Sequence, residues 1–119
     1  IPMPLHKNRY LFRKFNQSIE LAKQIGSLSQ LDMDTSIINR CKSTPAQTGL
    51  SAAQRRKNLR NAFEIDEAAV LRLKNYKHIA LFDDVITTGS TINCAYRSLR
   101  QHSPSLKIDV WSICLTLGR

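Results

Sequence analysis

Glycine is scarce in this chain: four in 119 residues, at Gly26, Gly49, Gly89 and Gly118. That scarcity excludes two common phosphate-binding turns, G-x-x-x-x-G-K-[ST] and G-x-G-x-x-G, because each needs glycines a few residues apart. Aromatic residues make up only 7% of the chain, and no aromatic-basic interleaving marks a platform for stacking bases. The three cysteines, Cys41, Cys94 and Cys114, stand too far apart for a C-x-x-C metal or redox pair. Such an odd, scattered set fits reduced thiols in the cytosol, with Cys94 and Cys114 packed in apolar surroundings. His6, His78 and His102 lack ligand spacing and read as surface or loop residues. No apolar run approaches the roughly 20 residues of a membrane span. The opening Ile1-Pro2-Met3-Pro4 has neither the basic start nor the apolar core of a signal peptide.

What is abundant is positive charge. Eighteen Lys and Arg against nine Asp and Glu give a net charge of +9. A polyanionic ligand, a nucleic acid or a merely solubilising surface would each suit this field, and charge alone does not separate them. A length of 119 residues, 42% of them hydrophobic, allows one domain over 1–119 with a single core.

The pattern along the chain alternates strands with helices, which indicates an α/β domain with a mainly parallel sheet. Ile1 to Leu5 reads as the end of a strand. Asn16 caps a helix bearing Ile19, Leu21, Ala22 and Ile25, with Gly26 ending it. A strand is expected around Thr35 to Cys41, where Ile37 and Ile38 supply β-branched bulk. Lys42 to Arg60 is the least regular stretch, although a helical turn is expected from Ser51 onward. Loops of that length inside a compact domain are usually functional. Ala62 to Ile65 reads as a short strand and Asp66 to Tyr76 as a short helix or connector. A helix over Thr91 to Gln101, with Ile92, Ala95, Tyr96 and Leu99 at helical spacing, leads to a last strand from Ile108 to Leu117.

Between the Asp66 to Tyr76 segment and the helix that starts at Thr91 lies the most informative run, Ile79-Ala80-Leu81-Phe82-Asp83-Asp84-Val85-Ile86-Thr87-Thr88-Gly89-Ser90-Thr91. Four apolar residues suit a strand covered on both faces. Asp83 and Asp84 would then emerge at its carboxyl end, where open α/β sheets bind ligands. The turn from Thr87 to Thr91 offers hydroxyls and successive N–H groups to an anion at a helix start, with Gly89 allowing close backbone approach. Carboxylates do not touch phosphate without a cation, so their partners are ribose hydroxyls or Mg²⁺, which takes one or two carboxylates plus substrate oxygens. The parts describe a site for a phosphorylated ribose.

This run resembles the motif by which type I phosphoribosyltransferases bind phosphoribosyl pyrophosphate (PRPP). Further runs follow in order: Pro2-Met3-Pro4-Leu5-His6, Arg13-Lys14-Phe15-Asn16-Gln17, Arg40, Gln47-Thr48-Gly49-Leu50-Ser51, Arg55-Arg56-Lys57-Asn58-Leu59 and Ala62-Phe63. Together they resemble the ComF family of competence-associated, phosphoribosyltransferase-like proteins over almost the whole chain. The resemblance implies a Rossmann-like, mainly parallel sheet of the type I phosphoribosyltransferase fold. Members of the family usually carry an amino-terminal zinc ribbon, a helix and a first strand, and this chain is expected to begin inside that strand. They also commonly have Gly before Phe-Asn-Gln, where Lys14 stands here. A positive φ at that position would cost Lys about 1 kcal/mol or more.

The activity implied is transfer of phosphoribosyl from PRPP to a nitrogen acceptor, with release of pyrophosphate. Asp83 and Asp84 would be the catalytic pair, engaging the ribose hydroxyls directly or through Mg²⁺. Thr87, Thr88, Gly89, Ser90 and Thr91 would hold the 5-phosphate. Arg13 and Lys14 are candidates for pyrophosphate. Arg55 and Arg56 are either lid residues that reach pyrophosphate on closure or a solvated basic helix face. No residue pattern specifies a nucleobase pocket. The competing reading is a non-catalytic module of the DNA-uptake machinery, using the positive field for single-stranded DNA or binding a competence-machinery protein. A cytoplasmic location is expected, and the oligomeric state stays open, a homo-oligomer included.

Overall fold

The computed structural model describes residues 1–5, 15–41, 51–59 and 62–116, without the side chains of Arg55, Arg56, Asn58 and Leu59. Arg13 and Lys14 lie outside the described residues, as does most of the irregular stretch after Cys41. The elements are helix Gln17–Ser29 (α1), strand Asn39–Arg40 (β1), helix Ala52–Leu59 (α2), strand Phe63–Glu64 (β2), helix Glu67–Leu73 (α3), strand His78–Ile86 (β3), helix Ser90–His102 (α4) and strand Lys107–Leu115 (β4).

β3 organises the fold. It pairs in parallel with β4, from His78 opposite Lys107 to Ile86 opposite Leu115. On its other edge Phe82 donates to Ile1 O at 2.9 Å and accepts from Met3 N at 2.8 Å, so the amino-terminal segment also runs parallel to it. The expected strand end at Ile1 to Leu5 therefore exists as a parallel bridge beside the motif strand. β1 and β2 form a separate antiparallel pair.

Helices cover β3 on both faces. Leu81 points into the main core with Ile92, Ala95 and Leu99 of α4. Those three residues share one face of α4, as 3.6-residue periodicity requires. Ala80 and Phe82, on the opposite side of the strand, line a cavity of about 270 Å³ with Ala22 and Ile25 of α1. The run of apolar residues without alternation in β3 thus reflects burial from two sides. The architecture is α/β with a small parallel sheet.

Local sequence explains where the helices begin. Asn16 caps α1, its Oδ1 accepting from Ile19 N at 3.2 Å. Ser51 and Gln54 form a reciprocal capping box at α2: Gln54 N donates to Ser51 Oγ at 3.2 Å and Ser51 N to Gln54 Oε1 at 2.9 Å. Asp66 caps α3 by accepting from Ala69 N at 2.7 Å.

Several expectations need correction. Gly26 does not end α1, which runs to Ser29 and stops at Gln30 in the left-handed region at φ 58°. A Cβ on Gly26 would lie 3.0 Å from Leu31 O, so this glycine serves the close return of the chain. Ile37 and Ile38 are fully buried, but they sit before the two-residue β1 rather than in a strand of their own. Asp83 and Asp84 lie within β3, which continues to Ile86, and not beyond its end. α4 is one residue longer at each end than expected, and the described part of the last strand stops at Leu115. Cys114 is exposed, together with Ile113 and Leu115, because β3 is the only strand paired with β4 among the described residues. Cys94 is half-buried, and burial raises its thiol pKa against the pull of Arg97 and Arg40. Among the described residues no disulfide forms and no helix is long and apolar enough to cross a membrane.

Asn16 is buried and uses both ends of its amide, since Nδ2 also donates to Met3 O at 3.1 Å. Asn16→Ala removes a cap and leaves Met3 O unpaired, and should cost about 1–3 kcal/mol. A urea midpoint equal to that of the unsubstituted protein would refute this anchoring role.

Candidate functional site

The carboxyl-terminal part of β3 turns into α4 through three residues. Thr87 to Gly89 bend the chain, and Gly89 takes φ 79°, ψ 0° at the helix cap position. A Cβ at Gly89 would meet nothing within 4 Å. Among protein atoms, backbone conformation and not crowding is what calls for glycine here. The Gly89 cap has no side-chain hydrogen bond, and Thr88 takes that part: its Oγ1 accepts from Ser90 N at 3.3 Å and lies 3.0 Å from Ser90 Oγ. Asn93 N donates to Gly89 O at 2.9 Å, closing the first turn. The N–H groups at the start of α4 therefore face the opening of the bend, where the helix dipole favours an anion.

The bend and Asp83 share one depression. A hollow of about 50 Å³ is lined by Asp83, Val85, Ile86, Thr87 to Thr91 and Ile92. The larger cavity beneath α1 lies towards the other end of β3, beside His78 and Ile79. We assign the chemistry to the smaller hollow, because hydroxyls, helix N–H groups and a carboxylate converge there while the larger one has a mainly aliphatic and aromatic wall.

Asp83 and Asp84 both contact α1. Ser18, in the first turn of α1, places its Oγ 3.0 Å from Asp83 Oδ1 and 3.3 Å from Asp84 Oδ1. Asp84 N donates to Asp83 Oδ1 at 3.0 Å. Among the described residues the one further hydrogen-bond partner of the Asp83 carboxyl is the Asp84 carboxyl itself. The Asp83 carboxyl is pushed up to about 6, first by burial and then by the adjoining Asp84 carboxyl, with the Ser18 hydroxyl pulling the other way.

This donor set fits Mg²⁺ in the manner of substrate-bound sites. Two adjoining carboxylates in mutual repulsion gain from a cation, and Mg²⁺ takes its other ligands from water and substrate. No cluster of three or more His, Cys, Asp or Glu able to form an all-protein cage exists among the described residues. Arg55 and Arg56 belong to α2, which packs beside α4. Sequence reasoning missed Ser18 altogether. Its one signal was a small polar residue on the buried stripe that Ala22 continues.

No family model matches the chain. Competence protein F of Haemophilus influenzae is 40% identical over 113 residues, which cover 95% of this chain and 48% of that protein. DNA utilization protein YhgH of Escherichia coli O157:H7 is 35% identical over 117 residues, 98% of this chain and 49% of that protein. The protein of the same name from Salmonella typhi is also 35% identical over 117 residues, with the same coverage. The chain spans about half the length of the curated relatives it matches. This similarity runs through nearly all of the chain and supports a ComF-like family.

Two predictions follow from the geometry. Gly89→Ala should destabilise the protein by about 1–2 kcal/mol through backbone strain alone. Gly89→Asn, although larger, should cost less because asparagine tolerates the left-handed region and the space is open. The reverse order in thermal melts would mean that sterics decide. The second concerns pH. An unfolded aspartate ionises near 3.8, whereas folded Asp83 keeps its proton to about 6. The native state therefore binds more protons in that window, and stability falls as pH rises through it before levelling off. Asp83→Asn should melt above the unsubstituted protein at neutral pH, with the gap closing as the pH drops below that window. A gap independent of pH would show that Asp83 is not the group responsible.

Proposed function

We infer that this chain is the PRPP-binding part of a ComF-like, phosphoribosyltransferase-type protein. The observation that carries the reading is the shared hollow at the end of β3, where Asp83 faces the hydroxyl-lined turn from Thr87 to Thr91. A sugar phosphate presents the same two chemistries in the same order: an anion at one end and vicinal hydroxyls a few ångströms away. The 5-phosphate would take the N–H groups at the start of α4 and the hydroxyls of Thr87, Thr88, Ser90 and Thr91. The ribose hydroxyls would donate to Asp83 and Asp84. Mg²⁺, when bound, supplies positive charge against the pyrophosphate that leaves C1.

Breaking the bond at ribose C1 develops positive charge on the sugar ring. Fixed carboxylates beneath the ribose hold the ring in place and stabilise that charge by proximity. A nitrogen nucleophile then takes the phosphoribosyl group, and pyrophosphate departs. Arg13, Lys14, Arg55 and Arg56 remain the candidates for contact with it. Under this reading the protein works in the cytoplasm and its role is tied to competence and DNA utilisation, as the names of its relatives suggest.

A second reading keeps the tie to DNA without transfer chemistry. The relatives' names and the net charge of +9 favour single-stranded DNA or a competence-machinery protein as partner. Binding to DNA would weaken steeply with salt as counterions are released.

Calorimetric titration with PRPP separates the two. Saturable heat that needs Mg²⁺ and vanishes in the Asp83→Ala, Asp84→Ala double variant is the expected result. The absence of heat from protein with a native circular dichroism spectrum would overturn the PRPP reading. Salt-sensitive binding of single-stranded DNA by the double variant would favour the second.

A further inference from the structure

We propose that Ser18 is the positioning residue of the acidic pair: its hydroxyl draws two carboxylates from neighbouring strand positions to one point, ready for a cation and a diol. The proposal rests on the reading of Asp83 and Asp84 given above and names the residue on which their arrangement depends.

Consecutive residues of a strand ordinarily project to opposite faces. Here Asp83 Oδ1 and Asp84 Oδ1 both lie within hydrogen-bond distance of a single oxygen, Ser18 Oγ, at 3.0 and 3.3 Å. The main chain joins in, with Asp84 N donating to Ser18 Oγ at 3.4 Å and to Asp83 Oδ1 at 3.0 Å. A hydroxyl has one hydrogen and two lone pairs. The one hydrogen lies between Asp83 Oδ1 and Asp84 Oδ1, nearer the former, so that both carboxylates share it in a three-centre bond, and a lone pair meets the Asp84 N–H. The two carboxylates are thus gathered on one donor instead of turning away from each other, as their like charges would otherwise dictate.

Packing alone does not call for serine at this position. Ser18 is only 5% exposed and lies on the stripe that Ala22 continues one turn later. Alanine would serve helix propensity better and would bury no polar group. A hydroxyl that is buried 65 residues away in sequence from its acceptors is explained by what it holds. The helix that carries it is itself fixed, because the Asn16 cap is bonded to Met3 and Met3 to Phe82, the residue before Asp83. Groups that orient metal-binding carboxylates typically change metal affinity by about 10- to 100-fold when removed.

The test compares Ser18→Ala and Ser18→Thr with the unsubstituted chain by two readouts. In ligand-free protein, side-chain couplings of Asp83 and Asp84 measured by NMR should report one fixed rotamer each. They should average in Ser18→Ala and be restored in Ser18→Thr. In calorimetry, Ser18→Ala should weaken Mg²⁺-dependent PRPP binding by about 10- to 100-fold. The same variant should bind inorganic phosphate without Mg²⁺ within about twofold of the original, because the turn from Thr87 to Thr91 is untouched. Unchanged aspartate rotamers in Ser18→Ala would overturn the proposal, and so would an equal loss for both ligands, which marks a structural role. If the unsubstituted protein fails to bind PRPP while the rotamers still depend on Ser18, the functional reading falls and the positioning role stands.

Discussion

The amide of Asn16 is the joint on which the site depends. Its oxygen accepts from Ile19 N at the start of α1 and its nitrogen donates to the carbonyl of Met3, a residue itself bonded to Phe82. One buried side chain therefore fixes where α1 starts and how that start meets β3. The consequence is positional. Ser18, two residues into the helix, arrives over Asp83 and Asp84 because residue 16 cannot slide along the strand. A helix held only by its apolar stripe could shift by a fraction of a turn and lose those contacts while burying nearly the same area, since hydrophobic burial has no direction. The directional bonds supply what burial cannot.

Charge is arranged against the protein's average. A net charge of +9 draws polyanions towards the surface. Within the hollow the order reverses along its length, from the helix N-terminus at Ser90 to the Asp83 carboxylate on β3. A ligand with an anion at both ends would be repelled by one of them unless it brought a cation. A sugar phosphate has a natural orientation here, with phosphate towards α4 and hydroxyls towards the acids. The raised Asp83 carboxyl records the cost of placing two such groups together in a half-buried position, and that cost is what a cation or a pair of donors would relieve.

Much of this was legible in the sequence, for reasons that differ by element. The β3–turn–α4 unit reads plainly because each part carries its own local signal: an apolar run, adjacent acids, one glycine and a helical stripe. Gly89 was singled out for close approach of the backbone to an anion, and the structure adds a conformational reason, its positive φ. Gly26 misled because glycine after an apolar stripe usually marks a helix end, whereas here it admits Leu31 O at close range. Ile37 and Ile38 looked like a strand because β-branched bulk suits strands, but the same bulk serves a core through irregular backbone. Ser18 could not be read at all. Its partners are 65 and 66 residues away, and no local pattern distinguishes a serine that holds carboxylates from one that faces water.

Under the proposed reading, the described elements would make binding and transfer separable. The hollow is lined by residues drawn from one stretch of chain, between Asp83 and Ile92, which Ser18 of α1 and the paired strand β4 brace. Recognition of a sugar phosphate therefore asks little of the remaining fold. Departure of pyrophosphate would ask for more positive charge on the far side of the ribose, and among the described residues the hollow's lining includes no Lys or Arg. The basic run of α2 is carried by a helix that packs beside α4, the same helix that begins at the phosphate turn. A shift of α2 along α4 would change the distance of its arginines from the ligand without disturbing the bend from Thr87 to Gly89. Catalysis would then be governed by where α2 sits, and affinity by the bend and the acids, so substitutions in the two regions should divide between turnover and binding.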